Sequence, residues 1–326
     1  MEAFFLKGKT MNLYDEFFKM IEKNDTITIF GHMFPDGDCY GSEIGLKQAL
    51  LHFYPDKKVY AIGGGFKRIP SDFPGFDEVD DETIKNSLGI AVDIGDTPRL
   101  NDKRILTAKE RIKVDHHIFT EKFCDLEIIE DDRVAACEII SNLFLYKFGY
   151  LPKEAAEPLY LGITTDSGRF LYSPVDEKLF KTVSDILKSN VDTKRIYDAL
   201  YTVDPESLKF KAYVYQNFKI DSGVAYMVFT KEILKELNIE KNQAAPQVNL
   251  IGNLLGCYAW VFFAEGEDGM VRVELRSSGF PIQPVAVYFG GGGHLQASGC
   301  VLDDINKYQQ VIDKIKENYR SYKNED

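Results

Sequence analysis

A chain of 326 residues is long enough for two domains, each burying its own core. A hydrophobic fraction of 44% and a charged fraction of 28% are ordinary for a globular protein, and no apolar run approaches a membrane span of about 18 residues. The net charge of −12 excludes a coat on long nucleic acid made by a basic surface, yet allows a small anion held through bound cations.

The first residues hold only a short apolar patch before Lys7, too little for a signal peptide. Cys39, Cys124, Cys137, Cys257 and Cys300 are scattered, odd in number and form no CxxC pair. Reduced, buried thiols are expected rather than a disulfide framework or a thiolate zinc site. A cytoplasmic protein with no membrane attachment is therefore expected, and a homodimer is compatible with the sequence.

Apolar spacing predicts a helix over residues 12–22. Strand-like runs follow at 26–30, 58–62, 89–92, 111–114 and 126–129, with helix-compatible stretches between them, such as 43–54. That alternation predicts βαβ units and an α/β fold with a mostly parallel sheet flanked by helices. Further helices are expected at 135–148, from Pro152 towards 164, and at 176–189, whereas 190–205 carries turn residues and little periodicity. The expected division is a first domain at 1–190, a linker and connecting helix at 191–218, and a smaller α/β domain at 219–326. In the second domain a strand is expected at 225–229, a helix at 231–237 and a polar loop at 238–246. Strands at 259–264 and 270–276, a glycine run at 290–293, a final strand-like stretch and a charged helix at 305–322 complete it.

The stretch after the first strand places His32, Asp36 and Asp38 on a turn broken by Pro35 and Gly37. Alone it reads as a polar turn capping the next helix. However, Asp93 follows the third strand, and Asp115, His116 and His117 follow the fourth. The carboxyl ends of parallel strands share one edge, where ligands bind. Of the five histidines, His32, His116, His117 and His294 lie in such polar, turn-flanked stretches, and only His52 sits inside an amphipathic helix. Asp166, in Thr165-Asp166-Ser167-Gly168, would cap a helix by itself. With the others it completes a set of two histidines and four aspartates: His32, Asp36, Asp38, Asp93, His116 and Asp166. Asp96 is a neighbouring alternative to Asp93. Imidazole and carboxylate suit manganese, zinc, iron or magnesium, and six donors exceed what one catalytic ion with open positions needs. They fit two ions about 4 Å apart bridged by one carboxylate, the arrangement that hydrolyses phosphate esters and anhydrides.

These residues resemble the DHH phosphoesterase family. HxxPDxDxxGS stands from His32 to Ser42, the second-motif aspartate is Asp93, the namesake triplet is Asp115-His116-His117, and the fourth-motif aspartate is Asp166. Downstream, Gly291, Gly292, Gly293, His294, Ala297, Ser298 and Gly299 match the GGGHxxASG signature of the DHH-associated domain. The resemblance covers roughly residues 20–320 in the family's motif order. It implies an active site in the cleft between the two domains. It also implies two divalent ions, most commonly Mn2+ with Mg2+, Co2+ or Fe2+ as alternatives: one on His32, Asp36 and Asp93, the other on Asp38, Asp93, His116 and Asp166. Asp93 would bridge them, His117 would meet the scissile phosphate or protonate the leaving group, and Asp115 would orient an imidazole from behind. Sequence does not decide which of His116 and His117 turns towards metal.

The associated domain is implied to bind substrate. The glycine run would let backbone amides approach phosphate, with Arg276, His294 and Ser298 beside it; read alone, the run is equally a flexible loop. Arg169, close to Asp166, would be a neighbour of the site or a member of a surface ion pair. The absence of sensor or membrane segments makes the chain most similar to the standalone oligoribonuclease branch, which degrades very short RNA, linear dinucleotides included, and dephosphorylates adenosine 3′,5′-bisphosphate. A cyclic di-AMP phosphodiesterase, a 5′ single-strand exonuclease and a non-catalytic nucleotide-binding protein are the alternatives. Long duplex nucleic acid is not an expected partner.

Overall fold

The computed structural model describes residues 2–171 and 174–325. In chain order the first part of the chain forms α1 (Glu2–Lys23), β1 (Thr26–Phe30), α2 (Gly37–Phe53), β2 (Lys58–Ile62), α3 (Asp81–Lys85), β3 (Leu88–Val92), β4 (Glu110–Asp115) and β5 (Leu126–Ile129). Then come α4 (Ala136–Phe148), α5 (Lys153–Asp166), α6 (Glu177–Leu187) and α7 (Thr193–Tyr201). The five strands lie where the apolar runs predict them. They pair in parallel in the order β2-β1-β3-β4-β5. β3 is buried at every residue, as expected for a parallel strand covered on both faces. The strand order reverses between β1 and β3, and ligands of open α/β sheets bind just past the carboxyl ends at such a point.

α2 and α5 pack closely enough to bring the start of one beside the end of the other. A Cβ on Gly37 would run into the Thr165 side chain, so only glycine admits this contact. Asp38 in the first turn of α2 and Asp166 at the last residue of α5 thereby become neighbours. α2 begins at Gly37 rather than at residue 43, because Asp36 caps it: its Oδ1 accepts from the amides of Asp38 and Cys39, each at 3.0 Å. The turn expected around Pro35 and Gly37 is thus shorter, and Gly37 to Ser42 are already helical.

The chain divides into two compact units at Thr202 and Val203. Residues 191–218, expected as a linker with one connecting helix, instead hold two packed helices. α7 buries Ile196 and Leu200 in the core of the first unit. α8 (Pro205–Asn217) buries Phe210 and Val214 in a core of the second. Asp192 and Asp204 cap them, so the residues that read as turns are helix starts.

The second unit continues with β6 (Lys219–Asp221), β7 (Val224–Phe229), α9 (Lys231–Glu236), α10 (Lys241–Ala244), β8 (Ala259–Glu265), β9 (Val271–Ser277), α11 (Gln283–Tyr288), β10 (Gly292–His294), β11 (Ala297–Leu302) and α12 (Tyr308–Glu325). Its sheet has the order β10-β11-β9-β8-β7-β6, antiparallel except between β7 and β8. β8 feeds two cores by alternation: Val261 and Phe263 face the α12 side, Trp260 and Phe262 the side of α8. The loop expected at 238–246 is α10 followed by a 3-10 helix, Ala245–Ile251, and β6 and α11 have no sequence-based counterpart.

Candidate metal centre

Four segments deliver the six predicted ligands to the carboxyl edge of the parallel sheet. His32 stands just past β1, held by an antiparallel bridge to Leu100. Its Nε2 lies 3.3 Å from Asp93 Oδ2 and 3.9 Å from Asp36 Oδ1. His116 places Nε2 3.5 Å from Asp93 Oδ1, 3.5 Å from Asp166 Oδ2 and 3.8 Å from Asp38 Oδ2. The two oxygens of Asp93 therefore face two different sets of donors.

The local backbone explains that placement. Asp93 sits at φ 54°, the left-handed region that few residues but glycine, asparagine and aspartate adopt. Its amide still donates to Val114 O at 3.0 Å, so the ladder with β4 holds the residue while the twist swings the carboxylate off the sheet. Asp38 is fully buried, and the first amides of α4, from Ala136 at 2.7 Å and Cys137 at 3.0 Å, donate to its two oxygens. Beneath the site the buried Lys113 ammonium donates to the carbonyls of Gly95 at 3.4 Å and Glu121 at 2.9 Å, tying the loop after β3 to the loop after β4.

The adjacent histidines are separated by their partners. His117 Nδ1 donates to Asp115 Oδ1 at 2.8 Å, and the His117 amide donates to the same oxygen at 3.2 Å. His116 is the ring that reaches three carboxylates. Asp115 thus orients His117 rather than His116. Asp96 does not line the pocket; it stands before the 3-10 helix Thr97–Arg99.

Crowded carboxylates shape the charge of the centre. Burial and the Asp93 charge push Asp38 up to about 7, and burial with the Asp38 charge pushes Asp166 up to about 8. Burial would also raise Asp93, but hydrogen bonds from His116 and His32 hold it well below the usual carboxylate range. Burial opposes charge on His116, yet Asp93 and Asp38 together push it up to about 10. Such a set of oxygen and imidazole donors fits a divalent cation, and the groups Asp38, His116, Asp166 and Asp93, His116, His117 each bring ligand atoms within 4.8 Å of one another. Cys39 lies close to His32 and Asp93 too, but burial raises its thiol far above the usual range, and the S–H points to Glu43 Oε1 at 3.5 Å. Its sulfur is thus engaged within the fold, accepting from the His32 amide and donating to Glu43.

Three lining residues carried no sequence signal. Met33, Phe34 and Arg99 share a pocket of about 340 Å³ with His32, Asp36, Asp93, His116, His117 and Asp166. Arg169 lies elsewhere, its guanidinium 4.6 Å over the Tyr201 ring.

In the second unit, Ala297 pairs with both Arg276 and His294, so those two side chains lie on one face across three neighbouring strands. The glycine run is not a free loop. Gly292 and Gly293 belong to an edge strand of a β-hairpin, and a Cβ on Gly291 would strike the Gly299 carbonyl. Ser298 points to the opposite face, is 3% exposed, and donates to His294 O at 2.7 Å. It secures the hairpin and leaves the predicted substrate-binding set. Arg276 reaches Glu274 Oε2 at 3.1 Å and Leu275 O at 2.9 Å.

A parallel sheet with acids and histidines at its carboxyl edge, followed by a mixed-sheet unit, defines a class. Residues 26–163 match the DHH family, N-terminal domain, and residues 221–321 match the DHHA1 domain. The chain belongs to the DHH family and is a phosphoric ester hydrolase. It is 33% identical over 299 residues to the bifunctional oligoribonuclease and PAP phosphatase NrnA of Mycoplasma genitalium, covering 90% of this chain and 93% of the relative. It is likewise 33% identical over 301 residues to the protein of the same description from Bacillus subtilis, covering 91% and 96%. The crystal structure of an exopolyphosphatase-related protein from Bacteroides fragilis matches with a TM-score of 0.84 at 26% identity, covering 96% of this chain and 97% of that one. Among the described residues no helix is long and apolar enough to cross a membrane.

Proposed function

We propose that this protein is a two-metal phosphodiesterase and phosphatase acting on short oligoribonucleotides, linear dinucleotides included, and on adenosine 3′,5′-bisphosphate. The observation that carries the reading is the divided carboxylate of Asp93, one oxygen towards His32 and the other towards His116. His32, Asp36 and Asp93 would hold one ion, and Asp38, Asp93, His116 and Asp166 the other. Hard oxygen donors with imidazole favour Mn2+, with Mg2+, Co2+ and Fe2+ as alternatives. Bound there, such ions would polarise the phosphoryl oxygens and lower the pKa of water.

The chain's own residues supply the rest. Asp38 stays fixed by the α4 amides, so the cluster needs little reorganisation when charge builds up on phosphate. With Nδ1 held by Asp115, His117 keeps Nε2 for the substrate and would hand a proton to the leaving oxygen. Arg276 and His294, on one face of the second unit, would hold the substrate's terminal phosphate, with the amides on the open edge of β10 beside them. The names of the two curated relatives support the substrate class. Five free cysteines, four of them buried, support a reducing, cytoplasmic setting.

The test is a panel of diadenylate, adenosine 3′,5′-bisphosphate, cyclic di-AMP and pyrophosphate at matched Mn2+. AMP release from the first two is expected. Failure to release AMP from the first two overturns the reading, whatever happens to cyclic di-AMP or pyrophosphate.

A further inference from the structure

Two residues of the pocket, Arg99 and Phe34, take no part in the proposed metal ligation or proton transfer. Both are fixed close to the ligands by backbone. The Met33 amide donates to Arg99 O at 2.8 Å and the Asn101 amide to Gly31 O at 3.1 Å, on either side of the bridge between His32 and Leu100. The segment carrying Arg99 is thereby zipped to the turn carrying His32 and Phe34.

Among the described residues neither side chain is engaged by an ion pair or a ring contact within the fold. The arginine ion pairs among the described residues belong to Arg104, Arg133, Arg195, Arg272 and Arg276. Arg99 is in none of them, although it lines a pocket with five of the acidic or imidazole ligands. Phe34 is 82% exposed and its neighbour Met33 47%. A large aromatic ring left in water beside a charged cluster gains nothing from packing. It is suited to stacking on a flat, polarisable partner.

We propose that Arg99 and Phe34 form a nucleotide subsite within the first unit: the guanidinium grips the phosphate at the metal cluster, and the Phe34 ring stacks the base next to it. The assignment rests on the reading that the substrates are short oligoribonucleotides. Arg99 presents two parallel N–H donors to phosphoryl oxygens, a geometry a lysine cannot copy. Phe34 supplies affinity for any base, because every base has a π face, so the subsite selects nucleotides over inorganic phosphates without reading sequence.

The test uses the full chain with Mn2+ and two probes. The first is a phosphorothioate-linked dinucleotide of 2-aminopurine and adenine, whose fluorescence reports stacking without turnover. Wild-type protein should quench it, Phe34→Ala should bind it roughly fivefold to a hundredfold more weakly with the quench lost, and Phe34→Tyr should keep the quench. Arg99→Ala should lower the slope of log affinity against log salt by about 0.7, one phosphate contact on a single strand, with Arg99→Lys restoring the slope but not the full affinity. The second probe is hydrolysis of diadenylate against the same compound lacking one base. Phe34→Ala should raise KM for the first and leave the second unchanged, whereas Arg99→Ala should lower kcat/KM for both by about tenfold or more.

Quenching that survives in Phe34→Ala, or an unchanged salt slope in Arg99→Ala, overturns the subsite. If wild-type protein binds and quenches the probe as described but cleaves no ribonucleotide, the subsite stands and the proposed function falls. If it cleaves diadenylate while neither variant differs from wild type, the function stands and the subsite falls.

Discussion

The two units prepare their functional residues to different degrees. In the first, side chains from four segments converge at one sheet edge, and the protein itself fixes them: Asp36 by the amides it caps, Asp38 by the start of α4, Asp93 by a left-handed backbone. Asp93 is 3% exposed, so its orientation does not await a ligand. In the second unit His294 is exposed on an edge strand and Arg276 is already engaged by Glu274. The contrast fits the proposed division between chemistry in the first unit and capture in the second. Groups that stabilise developing charge work best when fixed in advance, whereas groups that gather a flexible substrate can exchange partners on binding.

The sharpest way to break this contrast is Asp93→Ala, which removes the carboxylate shared by both donor sets. Turnover should fall by about a thousandfold or more, read as kcat on diadenylate. Substantial remaining activity would mean that Asp93 does not join the two sets. Next in size is Asp115→Asn, which changes the partner of His117 Nδ1, while the side-chain hydrogen bonds of Asp115 among the described residues go to His117 and not to a proposed ligand. It should lower kcat about a hundredfold with metal content unchanged by elemental analysis. Loss of metal would place Asp115 in the wrong role.

On the other side of the comparison, Arg276→Ala and His294→Ala should each raise KM about tenfold while kcat and bound metal stay as they are. A fall in kcat instead would erase the distinction between the units. Gly37→Ala tests how the fold builds the first site, since the new methyl meets Thr165 beside Asp166. A loss of about 1–3 kcal/mol in denaturant unfolding is expected, together with weaker metal binding. Smallest is Ser298→Ala. It should cost about 1 kcal/mol of stability, through the hydrogen bond to His294 O, and leave KM unmoved. An effect on KM would return Ser298 to the substrate set.

The same contrast explains what could be read before the structure. The five strands of the first sheet are apolar runs bounded by polar turns, and their ends fall at His32, Asp93 and Asp115, so most of the metal centre is written where strands stop. The family motifs then supplied which donors belong together, and residues 26–163 and 221–321 match the DHH and DHHA1 domains in which those motifs fall or which they adjoin. The start of α2 was obscured because Pro35 and Gly37 imitate a turn while Asp36 is in fact a helix cap. α7 was hidden by its length of nine residues, only two of them buried, between stretches rich in cap residues. In the second unit a glycine-rich edge strand shows no alternation of side chains, so it reads as a loop. Arg99 and Phe34 had no spacing to betray them. Their place comes from the bridge between two distant turns, which no local pattern records.

The central claim is that two divalent ions share Asp93 in the first unit. Equilibrium titration of the metal-free protein with Mn2+, counted per chain for wild type and for Asp93→Ala, tests it most directly. Two ions on the wild-type protein, with the second lost and the first markedly weakened in the variant, is the predicted result. A single ion on the wild-type protein, or two ions retained by Asp93→Ala at unchanged affinity, would contradict it.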